Sequence, residues 1–280
     1  MRPMKRHDPA TVVDPDVASP LDVAVAQDRR GIPAMVRRAV ETSNVLLAFQ
    51  PVVEAGRGGR TAFHEGLIRL IDERGRIIPA ADFIDSIETT ETGRRIDCLA
   101  LEMGLDCLAE APSLRLAVNM SARSIGYPEW QRTLRHGIAR DPSVAERLIL
   151  EITESSAIVV PELVRGFMRE NQRKGISFAL DDFGSGYTSF RYLRELYFDI
   201  LKIDGQFIRG IAADADNQIL TQALISVARH FDMFTVAESV ETAADAGRLA
   251  ELGIDCMQGY YFGAPTIVPP WRPAEVRVPA

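Results

Sequence analysis

The sequence predicts a TIM-like (β/α)8 barrel, an α/β fold, and three observations predict it. Eight short apolar segments read as strands, and most are followed by a stretch with helical periodicity. That alternation builds a parallel sheet with helices outside it. Polar residues recur at the carboxyl ends of these segments, the face where barrel strands pool their functional groups. The body has neither a dividing linker nor an internal repeat, and a chain of 280 residues suits one undivided barrel. A doubly wound open sheet is the competing architecture, because periodicity does not tell whether a sheet closes.

Residues 1–30 mix Pro, Asp, Val and Ala without a steady period and read as a flexible leader, with room for one short helix. A single barrel domain is expected over 31–268 and a proline-bearing surface tail over 269–280. Ile32 to Thr42 reads as a helix with Pro33 near its first turn. Val45 to Gln50 is a strand expected to stop at Pro51. After a Gly56 to Gly59 turn, Thr61 to Leu70 is the second strand, and Asp72 to Gly75 turns the chain again. Pro79 is expected to open a helical region, followed by a helix over Arg94 to Ala109. The remaining strands are expected at Leu114 to Asn119, Leu148 to Ile152, Ile176 to Asp181, Phe198 to Ile203, Met233 to Glu238 and Ile254 to Gln258. Helices are expected at Glu129 to Ile138, Pro161 to Arg173, Asn217 to Arg229 and Ala243 to Leu252.

The formal net charge of -7 argues against a polymeric nucleic acid as partner, though not against one small phosphorylated ligand. Cys98, Cys107 and Cys256 lack ligand-like spacing and read as buried free thiols in a reducing compartment. The charged first residues are no signal peptide, and no apolar run of about 18 residues occurs, so no membrane insertion and a cytoplasmic location are expected.

Charge at the end of an apolar strand needs a reason. Glu65 sits in the second strand; Asn119, Glu151, Asp181, Asp182, Glu238 and Gln258 end others; Lys202 lies in ILKID. Glu65, Asn119, Glu151 and Asp181 offer hard oxygens without Cys or His, a set that favours Mg²⁺ or Mn²⁺ over Zn²⁺. Adjacent Asp181 and Asp182 could serve two ions, an arrangement suited to phosphoryl displacement. For each carboxylate alone, a strand-end cap or an ion pair is the plainer reading; the repetition favours a site. Lys202 also admits a Schiff-base aldolase. The surrounding anions argue against that, since they keep the amine protonated. Gly184, Ser185 and Gly186 are expected to let a loop bend over the site. His64 and His230 read as packing or surface residues. Tyr260, Tyr261 and Phe262 suit either base stacking or a core-and-rim role.

Several separated motifs occur in order: Glu65-Gly66-Leu67, NMS at 119–121, LEITES at 150–155, DDFGSGYTSF from Asp181, LKID at 201–204, AESVE at 237–241 and QGYYFGAP at 258–265. With these the chain resembles the EAL-domain cyclic di-GMP phosphodiesterases of bacteria, over about Leu47 to Pro265. The resemblance implies a barrel with an antiparallel first strand. It implies hydrolysis of cyclic di-GMP to linear pGpG with Mg²⁺ or Mn²⁺. It implies one ion on Glu65, Asn119, Glu151 and Asp181 and a second on Asp181, Asp182 and Glu238. Lys202 would contact the attacking water, and Gln258 would help order the centre. Arg69 would meet a substrate phosphate, with Leu67 and Pro265 around the dinucleotide. Glu154 and Glu241 would support the site and the loop. A homodimer coupled to that loop and a signalling partner protein are also implied. Two positions depart from the pattern: Gly66 replaces an alanine and Ser239 a glycine. A non-catalytic cyclic di-GMP receptor or protein-interaction module is the alternative function.

Overall fold

The computed structural model describes residues 20–56, 58–184, 190–269 and 271, with backbone alone for 20–30 and 190–192. The chain opens with helix α1 (Pro20–Glu41) and the strands β1 (Val45–Glu54), β2 (Thr61–Ile71) and β3 (Ile77–Pro79). A short helix α2 (Ile84–Ile87) and the long α3 (Glu91–Glu110) lead to β4 (Leu116–Asn119), then α4 (Pro128–Arg140) and β5 (Leu148–Thr153). Next come α5 (Glu154–Ala157), α6 (Pro161–Gln172), β6 (Ser177–Phe183), α7 (Phe190–Glu195), β7 (Ile200–Ile203), α8 (Gly205–Ile208) and α9 (Ala215–His230). The last elements are β8 (Phe234–Ala237), α10 (Ala243–Leu252) and β9 (Cys256–Gln258).

The sheet closes. Strands follow the order β1-β9-β8-β7-β6-β5-β4-β2, and β1 pairs back onto β2. Neighbours from β2 through β4 to β9 are parallel, whereas β1 is antiparallel to both β2 and β9. The expected antiparallel first strand is therefore present, and the open-sheet alternative is excluded.

Two local expectations are corrected and one strand is added. Strand β1 does not stop at Pro51 but runs to Glu54. The Phe49 N–H points away from β2 to Thr266 O, and the backbone nitrogen of Pro51 faces the same side. There the β9 ladder begins only at Val52, so the missing N–H costs no bond to β2. Pro33 lies inside α1 rather than in its first turn, and burial of Val36, Ala39 and Val40 anchors the helix beyond it. Pro79 ends the unanticipated β3, which extends the free edge of β2 where β4 leaves it, and it caps the short 3₁₀ turn Ala80–Asp82 that leads into α2, so a helical region does open there as expected. The N–H of Thr90, at the start of α3, bonds Ile87 O; its hydroxyl caps the helix at Gly93 N.

Inside the barrel, strand alternation writes a layered code. Val52, Phe63, Ala117, Ile149, Ala179, Ile200, Val236 and Cys256 pack together, one from each of the eight barrel strands. This layer closes the barrel below the site. Cys98, Cys107 and Cys256 are buried thiols outside any disulfide, as expected. His64 stacks edge-on against Trp271, and His230 against Phe231.

Candidate functional site

Two residues beyond the apolar layer, seven strands present a polar or charged group: Glu65, Asn119, Glu151, Asp181, Lys202, Glu238 and Gln258. Because β1 runs the opposite way, its counterpart lies two residues before Val52, at Gln50. Side chains two apart on a strand share a face. The site is thus the next layer of the barrel interior, with the apolar layer as its floor.

Lys202 stands at the centre and is 1% exposed. Its Nζ lies 2.9 Å from Glu151 Oε2, 2.9 Å from Asp181 Oδ1, 2.9 Å from Glu238 Oε1 and 3.5 Å from Glu65 Oε2. Burial alone would push the ammonium down, but Asp181, Glu151, Glu238 and Glu65 outweigh it and hold it well above the ordinary lysine value. Lys202 is therefore a fixed cation and a poor nucleophile, which weighs against the aldolase reading.

Glu65 is held from both sides. Asn119 Nδ2 donates to its Oε1 at 2.8 Å and Gln258 Nε2 to its Oε2 at 2.6 Å. Burial raises its pKa, but Lys202 and these two donors more than offset that and keep it ionised. Gln258 also donates to Gln50 Oε1 at 3.1 Å, and Gln50 Nε2 to Gly263 O at 3.1 Å. Gln50 was not anticipated; its signal was a glutamine inside VLLAFQP that strand alternation turns inward.

Adjacent residues of a regular strand point to opposite faces, so Asp181 and Asp182 should not meet at one site. A bulge reconciles them. Between Leu180 and Phe183 the register of β6 on β7 shifts, setting two residues against one. Asp182 has φ +55°, the left-handed region that aspartate tolerates. The result is two carboxylate groups with a shared member. Oxygens of Glu65, Glu151 and Asp181 lie within 4.8 Å of one another, as do those of Asp181, Asp182 and Glu238.

One lysine cannot neutralise five carboxyl groups. Burial pushes Glu151 and Glu238 well above the ordinary glutamate value, and pushes Asp182 up to about 6. Glu151 Oε1 is buried without a hydrogen-bond partner. Crowded hard oxygens, raised proton affinity and an orphaned buried acceptor all fit a divalent cation.

The other anticipated residues lie around this layer. Leu67 and Arg69 follow Glu65 on the same face of β2, toward the mouth. Arg69 is half-buried, with Glu65, Tyr260 and Asp82 facing its guanidinium. Pro265 precedes Thr266, which bridges Phe49 of β1. Tyr260 and Tyr261 are exposed. Glu154, on α5, accepts from Gly184 N at 3.2 Å and so holds the start of the loop after Asp182. Gly184 itself has φ +97°, and a Cβ there would overlap the Phe207 ring. Ser185 and Gly186 lie outside the described residues. Glu241 stands apart from both carboxylate groups, 3.6 Å from Arg209 Nε. A buried polar brace was not anticipated: Asp97 Oδ2 accepts from Ser121 N at 3.0 Å and Ser124 Oγ at 2.6 Å, just after Asn119. Ser156 of α5 accepts from Ala122 N at 2.8 Å in the same turn.

Residues 34–265 match the family described as EAL domain. The chain belongs to that family. This EAL-domain chain is 32% identical to "Cyclic di-GMP phosphodiesterase PdeB" of Shewanella oneidensis, over 82% of this chain and 27% of that protein. It is 31% identical to "Cyclic di-GMP phosphodiesterase PdeF" of Escherichia coli, over 85% of this chain and 32% of that protein. The chain thus spans about a third of the length of these curated relatives. Among solved structures, the "PaMucR Phosphodiesterase, c-di-GMP complex" is similar at TM-score 0.73 and 30% identity, over 84% of this chain and 97% of that one. The FimX EAL domain from Pseudomonas aeruginosa, bound to c-di-GMP, is similar at TM-score 0.76 and 25% identity, over 85% of this chain and 97% of that one. Among the described residues, no helix is long and apolar enough to cross a membrane.

Proposed function

We propose that this EAL domain hydrolyses one phosphodiester of cyclic di-GMP to linear pGpG, with two Mg²⁺ or Mn²⁺ ions. The observation that carries the reading is the pair of carboxylate groups that share Asp181 around a charged, buried Lys202. Glu65, Asn119, Glu151 and Asp181 would hold one ion, and Asp181, Asp182 and Glu238 the other. Two such ions lower the pKa of water and offset charge on the attacking and leaving oxygens.

The protein's own residues do the rest. Lys202, pinned among carboxylates, can donate to the attacking water and fix its orientation. Gln258 and Asn119 keep Glu65 ionised and still. Arg69, at the mouth above Glu65, offers its fork to a phosphate, while Leu67 and Pro265 border the dinucleotide. Water adds across one P–O bond, leaving a phosphomonoester and a free hydroxyl that takes up a proton. Glu154 holds Gly184, from which the loop through Ser185 and Gly186 would close over the substrate. The reading extends to a homodimer whose contact couples to that loop, checked by sedimentation.

Purified protein incubated with cyclic di-GMP and Mg²⁺ or Mn²⁺ should release pGpG, separable by ion-exchange chromatography. Glu65→Ala should abolish turnover. Tight binding without turnover in the wild-type chain would make it a receptor instead and sink the enzymatic reading.

A further inference from the structure

Four non-glycine residues among those described have left-handed backbone: Ser43, Asp182, Asp232 and Ser239. Ser43 and Asp232 lie in turns just past helices. The other two belong to the second carboxylate group: Asp182 is a member, and Ser239 follows Glu238 directly.

The backbone on either side of Ser239 is pinned. Glu238 N donates to Ile203 O at 3.2 Å, on β7, and Val240 N donates to Gln258 O at 3.0 Å, on β9. Ser239 alone spans the two anchors, with φ +55°. Glycine meets that requirement freely, whereas serine is strained there. The serine hydroxyl, however, has a partner. Arg209 Nη2 donates to Ser239 Oγ at 2.9 Å, and Arg209 Nε stands 3.6 Å from Glu241 Oε1. Arg209 directly follows α8. One guanidinium therefore ties the segment after β7, the strand of Lys202, to the segment after β8, the strand that leads to Glu238. Gly205 makes the room: a Cβ there would stand 2.7 Å from Ser239 Cβ and 3.1 Å from Arg209 Cζ. Gly205, Ser239 and Arg209 form one fitted unit.

We propose that Arg209 is a positioning residue for Glu238, acting through the Ser239 hydroxyl to hold the second carboxylate group in shape for its cation. The proposal rests on the cation reading given above. It concerns only the Asp181–Asp182–Glu238 group. The Glu65 side is braced independently by Asn119 and Gln258.

The test is a double-mutant cycle read by Mn²⁺ binding to the metal-free protein, using electron paramagnetic resonance or calorimetry. Arg209→Ala should weaken one of two Mn²⁺ sites by about tenfold and leave the other unchanged. In a Ser239→Gly background, Arg209→Ala should change neither site, because the hydroxyl through which Arg209 acts is gone. An equal effect in both backgrounds, or none in the wild-type background, overturns the proposal. A wild-type chain that takes up no Mn²⁺ overturns the cation reading as well. The Arg209 side chain is more than half exposed, so thermal melting of the metal-free variant should match the wild type; a lowered melting point together with equal weakening of both sites would mark a structural role and also overturn the proposal.

Discussion

Gln258 Nε2 donates a 2.6 Å hydrogen bond to Glu65 Oε2 across the seam where antiparallel β1 separates β9 from β2. The two residues are 193 positions apart in sequence. Reversal of β1 turns Gln50 into the same layer, where it takes the other bond from Gln258. Gln258→Glu removes the donor and places a second carboxyl group beside Glu65. The pKa of Glu65 should rise, and cation affinity near pH 6 should fall by about 10- to 100-fold, the usual cost of losing such a partner. Gln258→Ala should cost less near pH 6, because it leaves no second carboxyl group to raise the proton affinity of Glu65 and so let a proton compete with the cation. Mn²⁺ titration of both variants checks the order.

Removing the central cation should separate stability from metal affinity. Lys202→Met leaves Glu65, Glu151, Asp181 and Glu238 crowded without their counterion. Breaking a buried ion pair from one side costs about 3–5 kcal/mol. Urea unfolding in chelator should show a loss of that order, and Mn²⁺ should restore much of it because the vacated site is more negative. Turnover should remain lost even with metal bound.

Gly66 departs from the family signature without a packing reason. A Cβ there would meet Ala117 O at 3.4 Å, Leu47 Cδ1 at 3.5 Å and Leu116 Cδ1 at 3.6 Å, all ordinary contacts. Its backbone is not left-handed. Gly66→Ala should stabilise the protein by roughly 0.4–1 kcal/mol, chiefly by restricting the unfolded chain. A shift of the urea midpoint at constant slope checks it.

Asp97 gives the fold a pH dependence of its own. Burial pushes its pKa up to about 7, well above the ordinary aspartate range, although Ser124 and Ser121 both donate to it. A carboxyl group that binds its proton more tightly when folded stabilises fully below its unfolded pKa. That contribution drains away as pH rises through the folded value. Both donors converge on Oδ2, so the amide oxygen of Asp97→Asn can accept both bonds without charge. The melting temperature of the variant relative to wild type should therefore climb between pH 5 and pH 8. A flat difference across that range would contradict a carboxyl group that titrates there.

The brace at Asp97 was illegible in the sequence for a plain reason. RIDCLALEMGLDCLAE shows a helix with two aspartates, Asp97 and Asp106, and aspartates on helices usually face water. Only the packing of α3 against the turn after Asn119 buries Asp97. Arg209 was hidden in the same way, because its partners Ser239 and Glu241 lie about 30 residues away on another turn.

By itself, the sequence determined the alternation. Seven of the eight barrel strands carry an inward apolar residue and, two positions on, an inward polar one, so the ligand-bearing residues of the site could be read from period and motif. Closure was the work of the tertiary structure, since pairing of β1 with β2 depends on partners that periodicity does not name. So was the meeting of Asp181 with Asp182. Regular alternation would send those neighbours to opposite faces. It takes the bulge against β7, with Asp182 in left-handed backbone, to bring both carboxylates to one centre.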